Sequence, residues 1–298
     1  MNRAPFFITI CAASGSGGME VIMNEGNPKV LLGSPIRQKT EILRNFLLSI
    51  KELTVGTMLD VDYFFIDDNL EDDSSRLLVD FAEAFPNTIL IKAQDARPYV
   101  CDESTHVWEE GLIWKVAKFK NRIIEKALND DYDYLFLVDS DLVLHPKTLE
   151  HLVSLKKDIV SEIFWTKWEP GFPELPQVWM SDQYNLYKSL KGESLTQKEI
   201  LKRVQIFINQ LKVPGIYSVG GLGACTLISR KALHSGVNFN EIYNISLIGE
   251  DRHFCIRAVA LGFELFVDTH YQAYHIYRVS EIEGLNEYKT WTKQPENV

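Results

Sequence analysis

One run of residues constrains the fold of this chain more than any other: Tyr134-Leu135-Phe136-Leu137-Val138, which ends abruptly in Asp139-Ser140-Asp141. Five apolar residues without alternation read as a central strand covered on both faces, the pattern of parallel sheets packed between helices. The chain before it alternates in the same sense. Val30 to Pro35 reads as a short buried strand, and Glu41 to Ile50 follows with Ile42, Leu43, Phe46, Leu47 and Ile50 at helical spacing. Val61 to Ile66 is a second strand, Leu77 to Phe85 a helix halted by Pro86, and Thr88 to Lys92 a third strand. Gly111 to Leu128 is the clearest helix, with Leu112, Ile113, Val116, Ile123, Ile124 and Ala127 forming its apolar stripe. Strands alternating with helices predict an α/β fold with a mostly parallel central sheet flanked by helices. Ligands of such sheets bind beyond the carboxyl ends of the strands, where Asp67, Asp68, Asp139 and Asp141 fall.

The second half is less regular. Glu162 to Met180, rich in aromatics and prolines, reads as a loop. Gln197 to Leu211 reads as an amphipathic helix, and Val219 to Ser229 as a glycine-rich strand-like stretch. Asp251 to Leu261 is a helix ended by Gly262, and Phe263 to Val267 a last strand. No repeat or low-complexity linker demands a separate second domain.

Composition sets the outer bounds. The 298 residues are 46% hydrophobic and 24% charged, enough for a large core and too apolar for general disorder. The net charge of −10 lacks the basic footprint of a nucleic-acid binder. Cys11, Cys101, Cys225 and Cys255 show no C-x-x-C spacing, which argues against a disulfide framework or a structural zinc site and for a reducing compartment. No apolar run approaches the ~20 residues that span a bilayer. The expectation is a cytoplasmic protein without a transmembrane segment, peripheral at the membrane at most. Residues 1–24 carry a short apolar stretch, Phe6 to Ala13, followed by a Ser/Gly run, an imperfect signal peptide. They are expected to be an extension outside the core, with the functional chain starting near Met23.

The chemistry-bearing residues gather around the strand ends. Asp139 and Asp141, two hard oxygen ligands one residue apart, suit a single Mn²⁺ or Mg²⁺. Gly249-Glu250-Asp251 opens a helix; capping explains acids there, and the alternative is a carboxylate that removes a proton from an acceptor hydroxyl. A site with two aspartates leaves room for an imidazole, with His275 the first choice and His270 the reserve. Lys115, Lys118 and Arg122 share one helix face, beside Lys120 and Asn121; solvation and phosphate contact are equally good readings. Arg37 and Lys39 are better placed to meet a nucleotide. Trp165, Trp168, Phe172, Trp179 and Tyr184 could pack together or offer π faces to sugar rings.

In order along roughly Val30 to Ser280, these residues resemble the GT-A glycosyltransferases, especially the family-2-like group. Val30-Leu-Leu-Gly-Ser-Pro35 with Arg37 is similar to that family's opening strand. Ile66-Asp67-Asp68-Asn69 is similar to its acid pair for base and ribose, Lys120-Asn121 to its Arg-Asn, and Asp139-Ser140-Asp141 to its D-x-D. Gly220-Gly221 resembles the segment under the donor sugar, Glu250-Asp251 the acidic motif carrying the base, and His275 the late histidine of the metal site. Asn69 stands in place of a usual glycine and Lys120 in place of arginine.

The resemblance implies a Rossmann-like GT-A fold with a smaller acceptor-side region. Residues 25–160 form its donor half, and 161–298 form the acceptor-binding and catalytic half of the same domain. It implies a transferase that moves sugar from a nucleotide-diphosphate sugar to a hydroxyl of a carbohydrate, lipid-linked or protein acceptor. Asp139, Asp141 and His275 would hold Mn²⁺ or Mg²⁺. Pro35, Arg37, Asp67, Asp68, Lys118, Lys120, Asn121, Asp139, Ser140, Gly220 and Gly221 would contact the donor. Asp251, with Glu250, would be catalytic in an inverting reaction, and Trp165, Trp168 and Trp179 would meet the acceptor. A retaining transferase, a haloacid-dehalogenase-like phosphatase (Asp139-Ser140-Asp141-Leu142-Val143 fits D-x-D-x-[TV]) and an inactive sugar-nucleotide-binding protein are the rivals.

Overall fold

The computed structural model describes residues 26–56, 58–94, 108–169, 171–181, 183–246 and 249–294. The expected extension at 1–24, and Cys11 and Cys101, lie outside these. In chain order the first elements are β1 (Lys29–Ile36), α1 (Thr40–Lys51), β2 (Asp60–Asp67), α2 (Asp72–Ala84), β3 (Thr88–Lys92), α3 (Glu110–Asn129) and β4 (Tyr134–Leu137). They continue with β5 (Leu142–Val143), α4 (Thr148–Ser154), β6 (Ile159–Thr166), β7 (Leu175–Pro176), β8 (Val178–Trp179) and α5 (Gln197–Leu211). The last are β9 (Ile216–Val219), β10 (Gly221–Leu222), β11 (Thr226–Ser229), α6 (Arg230–His234), α7 (Glu250–Ala260), β12 (Leu265–His275) and α8 (Leu285–Trp291).

One sheet runs in the order β3-β2-β1-β4-β11-β6-β12-β5, with β7 and β9 at its flanks. Neighbours from β3 to β4 are parallel, β11 inserts antiparallel between β4 and β6, and β6 and β12 are again parallel. The sheet is therefore mostly parallel, and it joins the two halves of the chain. Alternate side chains along each strand enter different cores. Leu31, Leu135 and Leu137 join Ile123, Ile124, Phe207 and Phe254 from α3, α5 and α7 on one face. Val30, Leu32 and Phe136 join Leu43, Phe46, Phe81 and Leu152 from α1, α2 and α4 on the other. That two-sided burial is the reason for the unbroken apolar run in β4. Gly33 lets α3 approach β1 closely, because a β-carbon there would strike Ile123.

Several elements differ from the sequence reading. β6 runs on to Thr166, so the stretch read as a loop from Glu162 begins inside a strand, in which Glu162 and Thr166 are buried polar residues. The last strand extends to His275, past a register shift between Asp268 and Ala273. The glycine-rich stretch divides into β10 and β11 behind β9, and α2 starts at Asp72 rather than Leu77. α5 matches its expected bounds and opens on a reciprocal cap between Thr196 and Glu199.

The chain runs from β1 outward to β3, then crosses back to lay β4 on the other side of β1. This reversal opens a crevice beyond the carboxyl ends of β1 and β4, the usual ligand position in open α/β sheets. No helix among the described residues is long and apolar enough to cross a membrane.

Candidate active site

β4 ends at Leu137, and the chain emerges into the crevice as Val138-Asp139-Ser140-Asp141. It then re-enters the sheet as β5, which pairs antiparallel with the end of β12, setting His275 opposite Leu142. The amide of Ile276 donates to the Asp141 carbonyl at 2.8 Å. The same pairing brings His275 Nε2 to 3.5 Å from Asp141 Oδ2. The imidazole is buried and fixed from behind: its Nδ1 is 2.8 Å from Thr166 Oγ1, which also accepts from the Gln177 amide at 3.0 Å. Residues 134 positions apart in sequence thus face each other because of one strand pairing.

The acids of α7 close the far wall. Gly249 precedes the helix, and Glu250 and Asp251 occupy its first turn. Lys120 reaches them from α3, donating to Glu250 Oε1 at 2.8 Å and to Asp251 Oδ1 at 3.0 Å. Glu250 is buried and Asp251 partly exposed. Burial pushes the Asp251 carboxyl up to about 7; Lys120 opposes this, while Glu250 and Asp139 add to it. Burial likewise pushes Asp139 up to about 6, against Lys120 and with Asp141 and Glu250. Asp139, Glu250 and Asp251 lie around the buried Lys120 ammonium, and Asp141 faces His275 across 3.5 Å. The Asp139 and Asp141 oxygens and the His275 nitrogen are of the kinds that a divalent cation such as Mn²⁺ accepts.

Two adjoining cavities meet at Asp139, Asp141, Glu250 and Trp108. The first, about 260 Å³, lies over β1 and is bounded by Pro35, Arg37, Asp68, Leu112 and Ser140. Asp68 there is held by Lys115 at 2.7 and 2.8 Å and by Arg37 at 3.5 Å. The second, about 490 Å³, is walled by Trp168, Trp179, Tyr184, Tyr277 and Gly223, with Asp251 and His275 at its base. Trp179 and Tyr184 are in ring contact at 4.5 Å.

The crevice gathers Pro35, Arg37, Asp68, Asp139, Ser140, Asp141, Glu250, Asp251, His275, Trp168 and Trp179. Other predicted residues lie elsewhere. Asp67 turns away from it, its Oδ1 accepting from Asn69 and Ser75 and its Oδ2 from Lys92. Lys118 is exposed and lines neither cavity, whereas Lys115 on the same helix is buried against Asp68. Lys120 sits beneath the α7 acids rather than over the first cavity. Asn121 braces the chain by bonding the Phe239 amide and Asn240.

Gly220 and Gly221 allow close packing: a β-carbon at Gly220 would strike the Met180 backbone, and one at Gly221 the Trp179 ring. Trp165 lines a separate cavity with Tyr274 and Tyr288. His270 is bonded to Asp268, away from Asp139 and Asp141. The sequence reading missed Thr166 and Gln177 behind His275 and Gly223 in the cavity wall; it named Lys115 on a charged helix face, without Asp68 as its partner. Only Gly223 carried a signal, as the last glycine of the Gly220-Gly221-Leu222-Gly223 run.

No known protein family matches the sequence, and no curated protein sequence does. Solved structures do share the fold. Residues 1–349 of S. aureus TarS superpose with a TM-score of 0.51 at 13% identity, over 89% of this chain and 64% of that one. The same protein in complex with UDP gives 0.50 at 13% identity, over 83% and 60%. The mannosyltransferase PcManGT from Pyrobaculum calidifontis, in complex with GDP-Man and Mn²⁺, gives 0.49 at 10% identity, over 84% and 57%. The chain spans about three fifths of the length of these matched chains, and 39% of the longer TarS chain. The likeness is one of fold, and that fold is the GT-A-like α/β sheet expected from the sequence.

Proposed function

We propose that this chain is a metal-dependent glycosyltransferase that moves a sugar from a nucleoside-diphosphate sugar to a hydroxyl acceptor. The observation that carries the reading is that Asp139 and Asp141 lie where two adjoining cavities meet, with His275 3.5 Å from Asp141 and Asp251 lining the second cavity. One cavity suits the donor and the other the acceptor. The fold shared with TarS, which has been solved with UDP, supports the same reading.

Asp141 and His275, with Asp139, would hold Mn²⁺ or Mg²⁺. When bound, such an ion supplies Lewis-acid neutralisation of the departing diphosphate. Pro35, Arg37 and Asp68 receive the nucleoside, with Asp68 oriented by Lys115. The Trp168 and Trp179 faces and the Tyr184 ring position the acceptor and exclude water from the second cavity. Asp251 takes the proton from the acceptor hydroxyl, and direct displacement inverts the anomeric centre. A carboxyl pushed up to about 7 suits that task, because a general base works best near the operating pH. Lys120 keeps Asp251 oriented and limits how far its proton affinity rises. The buried thiols of Cys225 and Cys255 fit a reducing, cytoplasmic setting.

A thermal-shift screen of UDP-, GDP- and dTDP-sugars with and without Mn²⁺ tests this. One donor class is expected to raise the melting temperature only with the metal, since a ligand at 100 times its Kd adds ~2.7 kcal/mol of stability. No shift with any of them would remove the donor-binding premise.

A further inference from the structure

A second convergence of ligating side chains lies outside the crevice. His151 comes from α4, and Asp268 and His270 from β12 where it leaves register with β6. Neither cavity of the candidate active site includes any of the three. His151 Nε2 lies 3.1 Å and His270 Nδ1 2.8 Å from the same oxygen, Asp268 Oδ2. All three ligand atoms lie within 4.8 Å of one another.

From this geometry we infer a transition-metal site of the Zn²⁺ class at His151, Asp268 and His270, independent of the Asp139–Asp141 centre. Four considerations carry it. Ligand atoms about 2.0–2.1 Å from a tetrahedral ion sit ~3.3 Å apart, so both imidazoles need only small adjustments to share an ion with Asp268. Two imidazoles and one carboxylate are a donor set for Zn²⁺ or a similar borderline ion rather than for Mg²⁺ or Ca²⁺. Asp268 is wholly buried, and its other oxygen accepts from the His270 amide at 3.0 Å, so its orientation is fixed in advance. The imidazoles are partly exposed, leaving an open side for an ion to enter and for water as fourth ligand. Glu162 stands beside Asp268 in the strand pairing and is held by the Tyr271 amide, which donates to its Oε1 at 3.3 Å. It adds a second carboxyl next to the site. An ion here would tie α4 to the irregular stretch between Asp268 and Ala273, the segment that leads to His275.

The alternative is a metal-free hydrogen-bonded triad, and direct binding separates the two. Titrate Zn²⁺, and separately Co²⁺, into the full chain carrying Asp139→Asn and Asp141→Asn, which disables the crevice site. The expected result is one equivalent of Zn²⁺ bound, weakened at least tenfold by adding either His151→Gln or His270→Gln. The Co²⁺ form should give the intense visible bands of a tetrahedral site. Should the histidine variants fail to fold, X-ray absorption of the Zn²⁺-loaded double aspartate variant must still find two imidazole nitrogens. No stoichiometric Zn²⁺, binding unchanged by both histidine substitutions, or an all-oxygen ligand shell would overturn the assignment.

Discussion

Lys120 Nζ lies 3.0 Å from Asp251 Oδ1 and 2.8 Å from Glu250 Oε1, so one buried ammonium from α3 holds both acids at the start of α7. Burial alone would lower the proton affinity of Lys120, yet its neighbours Asp251, Glu250 and Asp139 hold it well above the usual lysine range. It remains charged at any working pH. Removing one partner of such a buried pair typically costs 3–5 kcal/mol, because the remaining charge stays buried. Lys120→Met should therefore lower the unfolding free energy by about 3–5 kcal/mol in urea, with Lys120→Arg costing less. A loss under ~1 kcal/mol would show that the pair does not anchor α7 to α3.

The same pair sets the pH profile. Asp251 has to be ionised to act as base, and it stands at about 7. Turnover per donor bound should rise with pH through about 7, and Lys120→Met should move that limb upward, because Lys120 is what restrains Asp251. Asp251→Asn should cut turnover by about 10²–10⁴-fold while leaving donor affinity within a few fold. Near-normal turnover in the asparagine variant would remove Asp251 from the role of base.

Stability should follow pH in the opposite sense when divalent metal is absent. Asp139 and Asp251 are raised in the fold, to about 6 and about 7, so the native chain holds protons that an unfolded aspartate near ~3.9 has released. The stabilisation linked to these groups is fully present below about pH 4 and is lost as pH rises through 6 to 7. Chelator-treated protein should melt several degrees higher at pH 5 than at pH 8, and saturating Mn²⁺ should narrow the gap by restoring stability at pH 8. Equal melting temperatures at both pH values without metal would contradict the assigned shifts.

Gly221→Ala tests the packing behind the larger cavity. The added methyl meets the Trp179 ring, which forms part of the cavity wall. Overpacking of this kind costs about 1–3 kcal/mol. The expected kinetic signature is a raised acceptor KM with donor affinity unchanged, read from steady-state rates at saturating donor.

The half of the fold built from β1 to β4 was legible because β1 and β4 are buried on both faces and β2 carries a buried apolar run from Tyr63 to Ile66, with β3 half-buried at the edge. The crevice was legible for a related reason: an apolar run stopping at Asp139, after alternating strands and helices, reads as a central strand emerging at a sheet end. What periodicity could not reveal were polar residues placed inside strands. Glu162, Thr166 and Asp268 look like loop chemistry, yet each is buried in β6 or β12. Helix faces misled in another way. Lys115 and Lys118 are neighbours on α3, but only Lys115 meets a buried partner, because Asp68 comes from a strand end 47 residues earlier. His270 and His275, five residues apart, could be ranked in sequence only as reserve and first choice. The register shift in β12 separates them, giving His275 to Asp141 and His270 to Asp268.

The central claim is that Asp139, Asp141 and His275 hold a divalent cation against a donor diphosphate. Its most direct test is calorimetric titration of the sugar nucleotide that stabilises the protein most into wild type and Asp141→Ala, each with and without Mn²⁺. Wild type should bind at least tenfold more tightly with Mn²⁺ than without it, and Asp141→Ala should bind at the weak metal-free level under both conditions. Tight binding without metal, or Mn²⁺-enhanced binding that survives Asp141→Ala, would contradict the account.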